Sequence, residues 1–357
     1  MDRDLIAIFF VIGLFVLLFL GIPIAATILL LTTIGILLVA NADPATAIAT
    51  AYFGQMTNWG LTALPLFVLM GELLSRSGTA QKLFDAFAVL VGRMPGGLIQ
   101  VNIFASALFS ALCGSSTATV ATIGQLSLPQ LKARNYPEKL VLGSIAGSGT
   151  LGILIPPSVA LILYGFAFNV SIGDLFLAGI GALALALMDN RLTPSLIVKS
   201  LKATVLFCAA IGLILGASAA LQVAMAYTGI PRTIVSWIQD VQLGYYGLLL
   251  VIAFILVVLG CFMDGLSMIV LTGSVLLPVA QNAGFDLLWF GVFMVILVEI
   301  GLITPPIGFN LFVLQRISGR ELPYLASAAL PFLLLMLLGL VILTIFPSII
   351  TILPQLL

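Results

Sequence analysis

The sequence predicts an all-α polytopic membrane protein: an inverted repeat with two re-entrant hairpins and two helices broken at Pro-Pro pairs. Three observations predict it. Apolar residues fill 62% of the 357 positions and charged residues only 7%, against roughly 25% charged in a soluble domain, and mean hydropathy is +1.30. Two Pro-Pro pairs, Pro156-Pro157 and Pro305-Pro306, interrupt the apolar stretches "GILIPPSVALILYG" and "GLITPPIGFNLFVL". The surroundings of one pair match those of the other.

Runs such as Leu5–Leu20, Ala203–Ala226 and Leu325–Phe346 are about as long as the ~20 residues of a bilayer crossing, or longer. The first has the look of a signal peptide, but apolar sequence continues to Ala40 and similar runs recur, so it reads as a membrane helix. The formal charge is zero, which offers nucleic acid no basic surface, and no glycine-lysine phosphate loop is present. There is no histidine. Cys113, Cys208 and Cys261 lie far apart and form no CxxC pair, so no metal or redox cofactor is expected and the chain does not read as an enzyme.

The two Pro-Pro pairs lie 149 residues apart. Tyr136 precedes the first by 20 residues, and Phe285 precedes the second by the same 20. "LSLPQLKARNY" aligns with "VLLPVAQNAGF", and "SALCGSSTATV" around Cys113 faces "VLGCFMDGLSMIV" around Cys261. Downstream, "SIGDLF" aligns loosely with "SGRELP". The chain thus contains two copies of one unit. In the first copy the connection 130–139 carries Lys132, Arg134 and Lys139 while 170–174 carries no basic residue. In the second, 279–288 carries none while "RISGRE" carries Arg316 and Arg320. The basic bias is reversed, the charge signature of an inverted repeat.

A Pro-Pro pair stops a helix, because proline lacks an N–H and clashes with the preceding turn. Irregular backbone at membrane depth needs protein or water to satisfy it, so paired breaks in two inverted halves point to a central binding site. Carbonyls freed before the prolines can face a cation, and the next half-helix N-terminus an anion. Residues 98–131 run apolar, then polar at "CGSSTAT", then apolar again; 247–278 do the same around "CFMDG". Each arm is short for a crossing, which fits a hairpin with its tip near mid-membrane. Ser115, Ser116, Thr117 and Thr119 offer hydroxyl oxygens at the first tip, and Asp264 is the carboxylate of the second hairpin. These oxygens can coordinate an ion or cap the hairpin arms, and hard oxygen donors without thiol or imidazole suit sodium. Glu72 and Glu299 also fall in apolar runs; Glu299 reads as a ligand or as a helix-packing partner.

A short amphipathic segment precedes each hairpin. Residues 80–94 place Leu83, Phe87 and Leu90 on one face with Lys82 and Asp85 off it; 231–242 place Ile234, Ile238 and Val241 similarly. Both are too short to span and read as interfacial arms beside a moving hairpin body.

These residues together resemble the large membrane (M) subunit of the tripartite ATP-independent periplasmic (TRAP) transporters. The matches are "PLFVLMGELLSRSGTAQKLFDAF", "GRMPGGL", "GSSTATVATIG", "GTLGILIPPSVALILYG", "MDG" and "ITPPIGFNLFV", spread over nearly the whole chain. The resemblance implies a sodium-driven, elevator-type importer of organic acids (a C4-dicarboxylate, sialic acid or a related carboxylate) in the bacterial inner membrane. It implies a small membrane subunit and a periplasmic substrate-binding protein as partners, with no cofactor beyond sodium as coupling ion. It places one sodium site among Gly114, Ser115, Ser116, Thr117, Gly149, Thr150, Pro156 and Pro157. The other falls among Asp264, Gly301, Thr304, Pro305, Pro306 and Asn310, with substrate between them. Within that set Ser115, Ser116, Thr150, Asp264 and Thr304 are the expected sodium ligands.

One stretch departs from the family. Leu175–Met188 is 14 residues, about 21 Å of helix against a core of roughly 30 Å, where family members carry enough sequence for two more crossings. The expected organisation is N-terminal scaffold helices (1–75), first arm (76–97), first hairpin with broken helix (98–174), shortened linking helices (175–228) and second arm (229–244). A second hairpin with broken helix (245–321) and a C-terminal helix (322–357) complete it. A stand-alone sodium/carboxylate carrier of similar architecture, or a structural subunit of a membrane complex, are the alternative readings.

Overall fold

The computed structural model describes residues 9–39, 43–57, 63–155, 158, 163, 194–228, 244–261, 264–305 and 308–350, apart from positions 11, 15, 18, 19 and 93. Pro156, Pro157, Pro306, the shortened stretch and the second arm lie outside the described residues. Among those described, every regular element is helical and no strand occurs, as expected of an all-α membrane protein.

The N-terminal body holds α1 (Ile24–Val39), α2 (Pro44–Met56) and α3 (Ala63–Arg76). Pro44 starts α2 with the φ a first turn needs, and Asp43 caps it by accepting from the Ala45 and Thr46 amides. The Thr46 hydroxyl adds a third bond to the same carboxylate and, with those amides, holds its pKa below the usual range. Helix α9 (Pro194–Thr228) packs along α1, α2 and α3.

The first arm is α4 (Thr79–Leu90). Its packed side runs through Phe84, Phe87, Ala88 and Val91, which join the core beneath it. Leu90, assigned to that face by spacing, is 74% exposed. In a segment this rich in apolar residues the helical phase is ambiguous, and Phe84, one position on from Leu83, supplies the buried anchor.

The next elements recur in order. Helices α5 (Leu98–Cys113) and α6 (Ser116–Ala133) form a tight helix-turn-helix pair, followed by α7 (Glu138–Gly149) and the single turn α8 (Leu151–Leu154). Later come α10 (Tyr245–Gly260) and α11 (Gly265–Asn282), then α12 (Leu287–Leu302), an interruption, and α13 (Phe309–Ser318). The two first arms are each 16 residues and the two second arms each 18. Pro129 and Pro278 sit inside corresponding second arms. After each pair the chain turns through a left-handed residue: Asn135 at φ 57° and Gly284 at φ 77°. Asparagine is among the few side chains that tolerate that region, so the turn chemistry is kept while the residue differs.

The two units are held by different chemistry. In the first, α5 meets α7 through a row of buried polar pairs, Asn102 Nδ2 to Ser144 Oγ at 3.1 Å and Ser148 Oγ to Ser106 Oγ at 2.9 Å. The Tyr136 hydroxyl accepts the Leu98 amide at 3.2 Å and so caps α5. In the second, the matching Phe285 has no hydroxyl and instead stacks among Tyr245, Trp289, Phe290 and Phe293. The Trp289 indole donates to the Leu343 carbonyl at 2.9 Å.

Helix α14 (Leu322–Ile345) crosses both units, packing on α7 and α12. It approaches α7 so closely that a Cβ on Gly143 would lie 2.2 Å from the Ala328 carbonyl oxygen, and one on Gly147 2.5 Å from the Phe332 ring. Three described helices are long and apolar enough to cross a membrane: Ile197–Ala224 within α9, α11 and α14. Only 17% of the apolar window in α14 is buried, against 78% in α11, so α14 presents its flank to lipid while α11 is enclosed by protein.

Candidate functional site

The site is built where helices are interrupted. At the first tip, Gly114 closes α5 with φ 63°, and Ser115 caps α6, its Oγ accepting the Ala118 amide at 3.4 Å and pairing with Thr117 Oγ1 at 3.2 Å. The Thr119 hydroxyl donates to the Ser115 carbonyl at 2.9 Å and lies 3.3 Å from Ser110 Oγ. At the second tip, Asp264 caps α11 by accepting from the Ser267 amide at 3.1 Å and the Ser267 hydroxyl at 2.6 Å. Ser115 and Asp264 are thus matching N-caps, separated by the same 149 residues as the prolines.

Each interruption packs against the tip of its own unit. A Cβ on Gly152 would sit 2.5 Å from the backbone N and Cα of Ser116, so only glycine lets α8 approach there. Gly260 and Gly301 do the same in the second unit, a Cβ on either falling 2.8 Å from the other's Cα. The Cys261 thiol lies 3.3 Å from the Val257 carbonyl of its own helix and 3.5 and 3.6 Å from the Thr304 and Pro305 carbonyls. Gly149 is buried against Val120. The Thr150 hydroxyl donates to the Gly147 carbonyl at 2.6 Å and the Thr304 hydroxyl to the Ile300 carbonyl at 2.6 Å. A hydroxyl that spends its proton on its own helix keeps lone pairs for a cation.

Two residues stand out by burial. Glu299 is fully buried in the last turn of α12, where it accepts a hydrogen bond from Ser116 Oγ of the first tip. An isolated carboxylate in an apolar run fits a ligand or a packing partner; its contact joins the two units across 183 residues. Its Oε2 has no hydrogen-bond partner among the described residues. Asn310, in the first turn of α13, is also fully buried, and neither of its amide atoms has such a partner. Among the described residues no group of three His, Cys, Asp or Glu side chains could hold a metal ion.

The structure thus brings Gly149 and the turn after it against the start of α6, which carries Ser115, Ser116 and Thr117 beside Gly114, and brings Gly301, Thr304 and Pro305 against Gly260 and Cys261, a few residues before Asp264; Asn310 follows in α13. Their shared feature is a place at or beside the end of an apolar helix. Glu299 is the central residue that spacing alone does not single out; its one sequence signal is a carboxylate in an otherwise apolar run.

The architecture and this centre define a class: an all-helical membrane protein whose buried polar groups gather where its helices are interrupted. The sequence profile of "Tripartite ATP-independent periplasmic transporter, DctM component" matches residues 11–188 and 180–349. The chain belongs to that family, a family of transport permeases and not of enzymes. It is 30% identical to the C4-dicarboxylate TRAP transporter large permease protein DctM of Pseudomonas aeruginosa, covering 89% of this chain and 92% of that protein. It is 28% identical to the sialic acid TRAP transporter large permease protein SiaM of Vibrio cholerae, covering 95% and 96%. It is also 28% identical to the isethionate TRAP transporter permease protein DctMQ of Oleidesulfovibrio alaskensis, covering 92% of this chain and 63% of that protein. The first alignment is 396 residues long yet draws on 89% of a 357-residue chain, so the relative holds several tens of residues without a counterpart here. The two profile matches meet at residues 180–188.

Proposed function

We propose that this chain is the large membrane subunit of a sodium-coupled importer of organic anions in the bacterial inner membrane, fed by a periplasmic binding protein and assembled with a small membrane subunit. The observation that carries the reading is the meeting of two capped tips with two helix interruptions. Glycines at 152, 260 and 301 bring backbone against backbone there, and hydroxyl, carbonyl and carboxylate oxygens stand in otherwise apolar surroundings. On this reading the two units are an inverted repeat, α5–α6 and α10–α11 are re-entrant, and Ser115, Ser116, Thr150, Asp264 and Thr304 hold sodium. Substrate lies between, with Asn310 as one of its hydrogen-bonding partners. The hairpins and broken helices move as one body past the scaffold of α1, α2, α3 and α9. The named substrates of relatives, C4-dicarboxylate, sialic acid and isethionate, are anionic acids and support a carboxylate or sulfonate as the substrate.

The stretch where the two profile matches meet coincides with the short apolar run 175–188. A loss of two crossings there preserves the orientation of everything downstream and removes no residue of the proposed site. The test is uptake into proteoliposomes containing this chain and its small membrane subunit. Succinate, sialic acid and isethionate are offered with candidate binding proteins under an inward sodium gradient. Accumulation that needs both the gradient and a binding protein supports the assignment. Equal uptake without any binding protein points to a stand-alone carrier, and no uptake of any organic anion overturns the reading.

A further inference from the structure

Glu299 raises a problem that the proposed site does not answer. It is a carboxylic side chain with 0% exposure, and a buried carboxylate needs a compensating positive charge or a full set of donors. Two ion pairs among the described residues, Arg76 with Glu72 and Arg320 with Glu138, involve partly exposed groups and leave Glu299 untouched. Among the described residues one donor reaches it: Ser116 Oγ, on Oε1. Ser116 is the first residue of α6, so the positive end of that helix adds a fraction of a charge at the same place. Oε2 remains without a hydrogen-bond partner among the described residues.

We propose that Glu299 Oε2, with Ser116 beside it, is the anionic half of a monovalent-cation position shared between the two units. The proposal rests on the sodium-coupled reading above and adds to its first-unit ligands a carboxylate from the second unit that lies outside the set expected there. A single carboxylate balances a single positive charge, so a divalent ion would leave net charge buried. The backbone is closely packed at Ser116, where a Cβ on Gly152 would fall 2.5 Å away. Sodium and the proton both carry that single charge, and a cation here ties the interruption of one unit to the tip of the other. The titratable side chains on or beside the elements packed against α12 are otherwise engaged or distant in sequence from this turn. Asp264 holds Ser267, the Cys261 thiol lies among the Val257, Thr304 and Pro305 carbonyls, Tyr245 meets the Phe285 ring edge-on, and Arg316 lies over the Phe312 ring. Tyr246 stands beside Tyr245 at the start of α10, Arg320 and Tyr324 lie together near the start of α14, and Lys132 is in the last turn of α6.

The test follows the thermal unfolding of the purified full chain as sodium replaces potassium at constant ionic strength, at pH 6 and pH 8. Wild type is compared with Glu299→Gln and Glu299→Asp. Glu299→Gln keeps the shape and an acceptor for Ser116 and removes the charge. The expected result is a Tm in potassium close to wild type and an apparent sodium affinity lowered at least about tenfold. Glu299→Asp keeps the charge and should retain a sodium response. If wild type is instead stabilised by acid, with sodium adding nothing, and Glu299→Gln abolishes the acid response, the cation is the proton. A wild-type sodium titration kept intact in Glu299→Gln overturns the proposal while leaving the sodium-coupled function standing. A wild type indifferent to sodium and to pH overturns both. Should Glu299→Gln not fold, Glu299→Asp decides, since its carboxylate stands one methylene further back: a sodium affinity shifted from wild type supports the position, and an identical one rejects it.

Discussion

Asp264 performs two tasks that a single substitution confounds: it caps α11 through the Ser267 amide and hydroxyl, and it carries the charge expected to attract sodium. Asparagine caps helices about as well as aspartate, whereas alanine does not. Asp264→Asn should therefore fold with near-native stability in potassium and lose sodium stabilisation, while Asp264→Ala loses both. Melting curves in the two salts distinguish these, and a sodium response unchanged in Asp264→Asn would reduce the residue to a cap. Gly152→Ala provides the complementary case. Its Cβ would meet the Ser116 backbone at 2.5 Å, and neither backbone can yield cheaply, so a loss of about 1–3 kcal/mol is expected from overpacking. A Gly152→Ala chain as stable as wild type in a denaturant titration would show that the tip gives way without cost. At this scale the sequence was partly legible. Ser115 and Asp264 declare themselves because polar residues in an apolar run must be doing something, and the 149-residue spacing pairs them. The bond between Ser116 and Glu299 was not legible, because nothing local encodes a partner 183 residues away. Nor was the buried face of α4, where Leu83, Phe84 and Phe87 offer competing helical phases.

Individual helices differ in what fastens them, and the difference is measurable. Trp289 is almost fully buried within the aromatic cluster of the second unit and tied to Leu343 of α14. Replacing it with phenylalanine keeps most of the packing and removes the hydrogen bond, a cost of about 1 kcal/mol. Replacing it with alanine opens a cavity and costs about 3–5 kcal/mol. Equal unfolding midpoints for Trp289→Phe and Trp289→Ala would contradict this account of the cluster. At the exposed end of α7, Arg320 holds Glu138 through two hydrogen bonds at 2.9 and 2.6 Å. The Arg320 hydrogen bonds, with its charge, keep the Glu138 pKa below the ordinary carboxylate value. The sign follows directly: the contribution is complete above the ordinary glutamate range and fades as pH falls through the lowered value. Both partners are well exposed, so the effect is small and salt removes it. A Glu138→Gln chain should melt slightly below wild type at neutral pH in low salt and together with it at high salt. A deficit that persists in high salt would mean that Glu138 acts through something other than charge.

Across the whole molecule, composition was enough to read the class, since a chain this apolar has no soluble solution, and the doubled Pro-Pro pairs foretold a repeated order of elements. What remained hidden was the mortar. Two units of matching helix lengths can be joined by hydroxyl pairs or by stacked rings, and the choice is made by residues that each look ordinary in an apolar stretch. The partition is physical as well as historical: a buried hydroxyl must find its one partner, whereas aromatic rings tolerate several arrangements. The first unit should accordingly respond more sharply to single substitutions such as Asn102→Leu than the second does to ring-for-ring exchanges like Tyr245→Phe. Urea midpoints for the two variants would show it, and similar losses in both would argue that the two kinds of seam are interchangeable.

The closeness of α7 to α14 carries a consequence for how the chain is made. Synthesis runs from the N-terminus, and the groove over Gly143 and Gly147 waits for Ala328 and Phe332, which emerge only near the end. A nascent chain stopped before residue 322 would lack both partners, so the packing of α7 is completed only after α14 has been made.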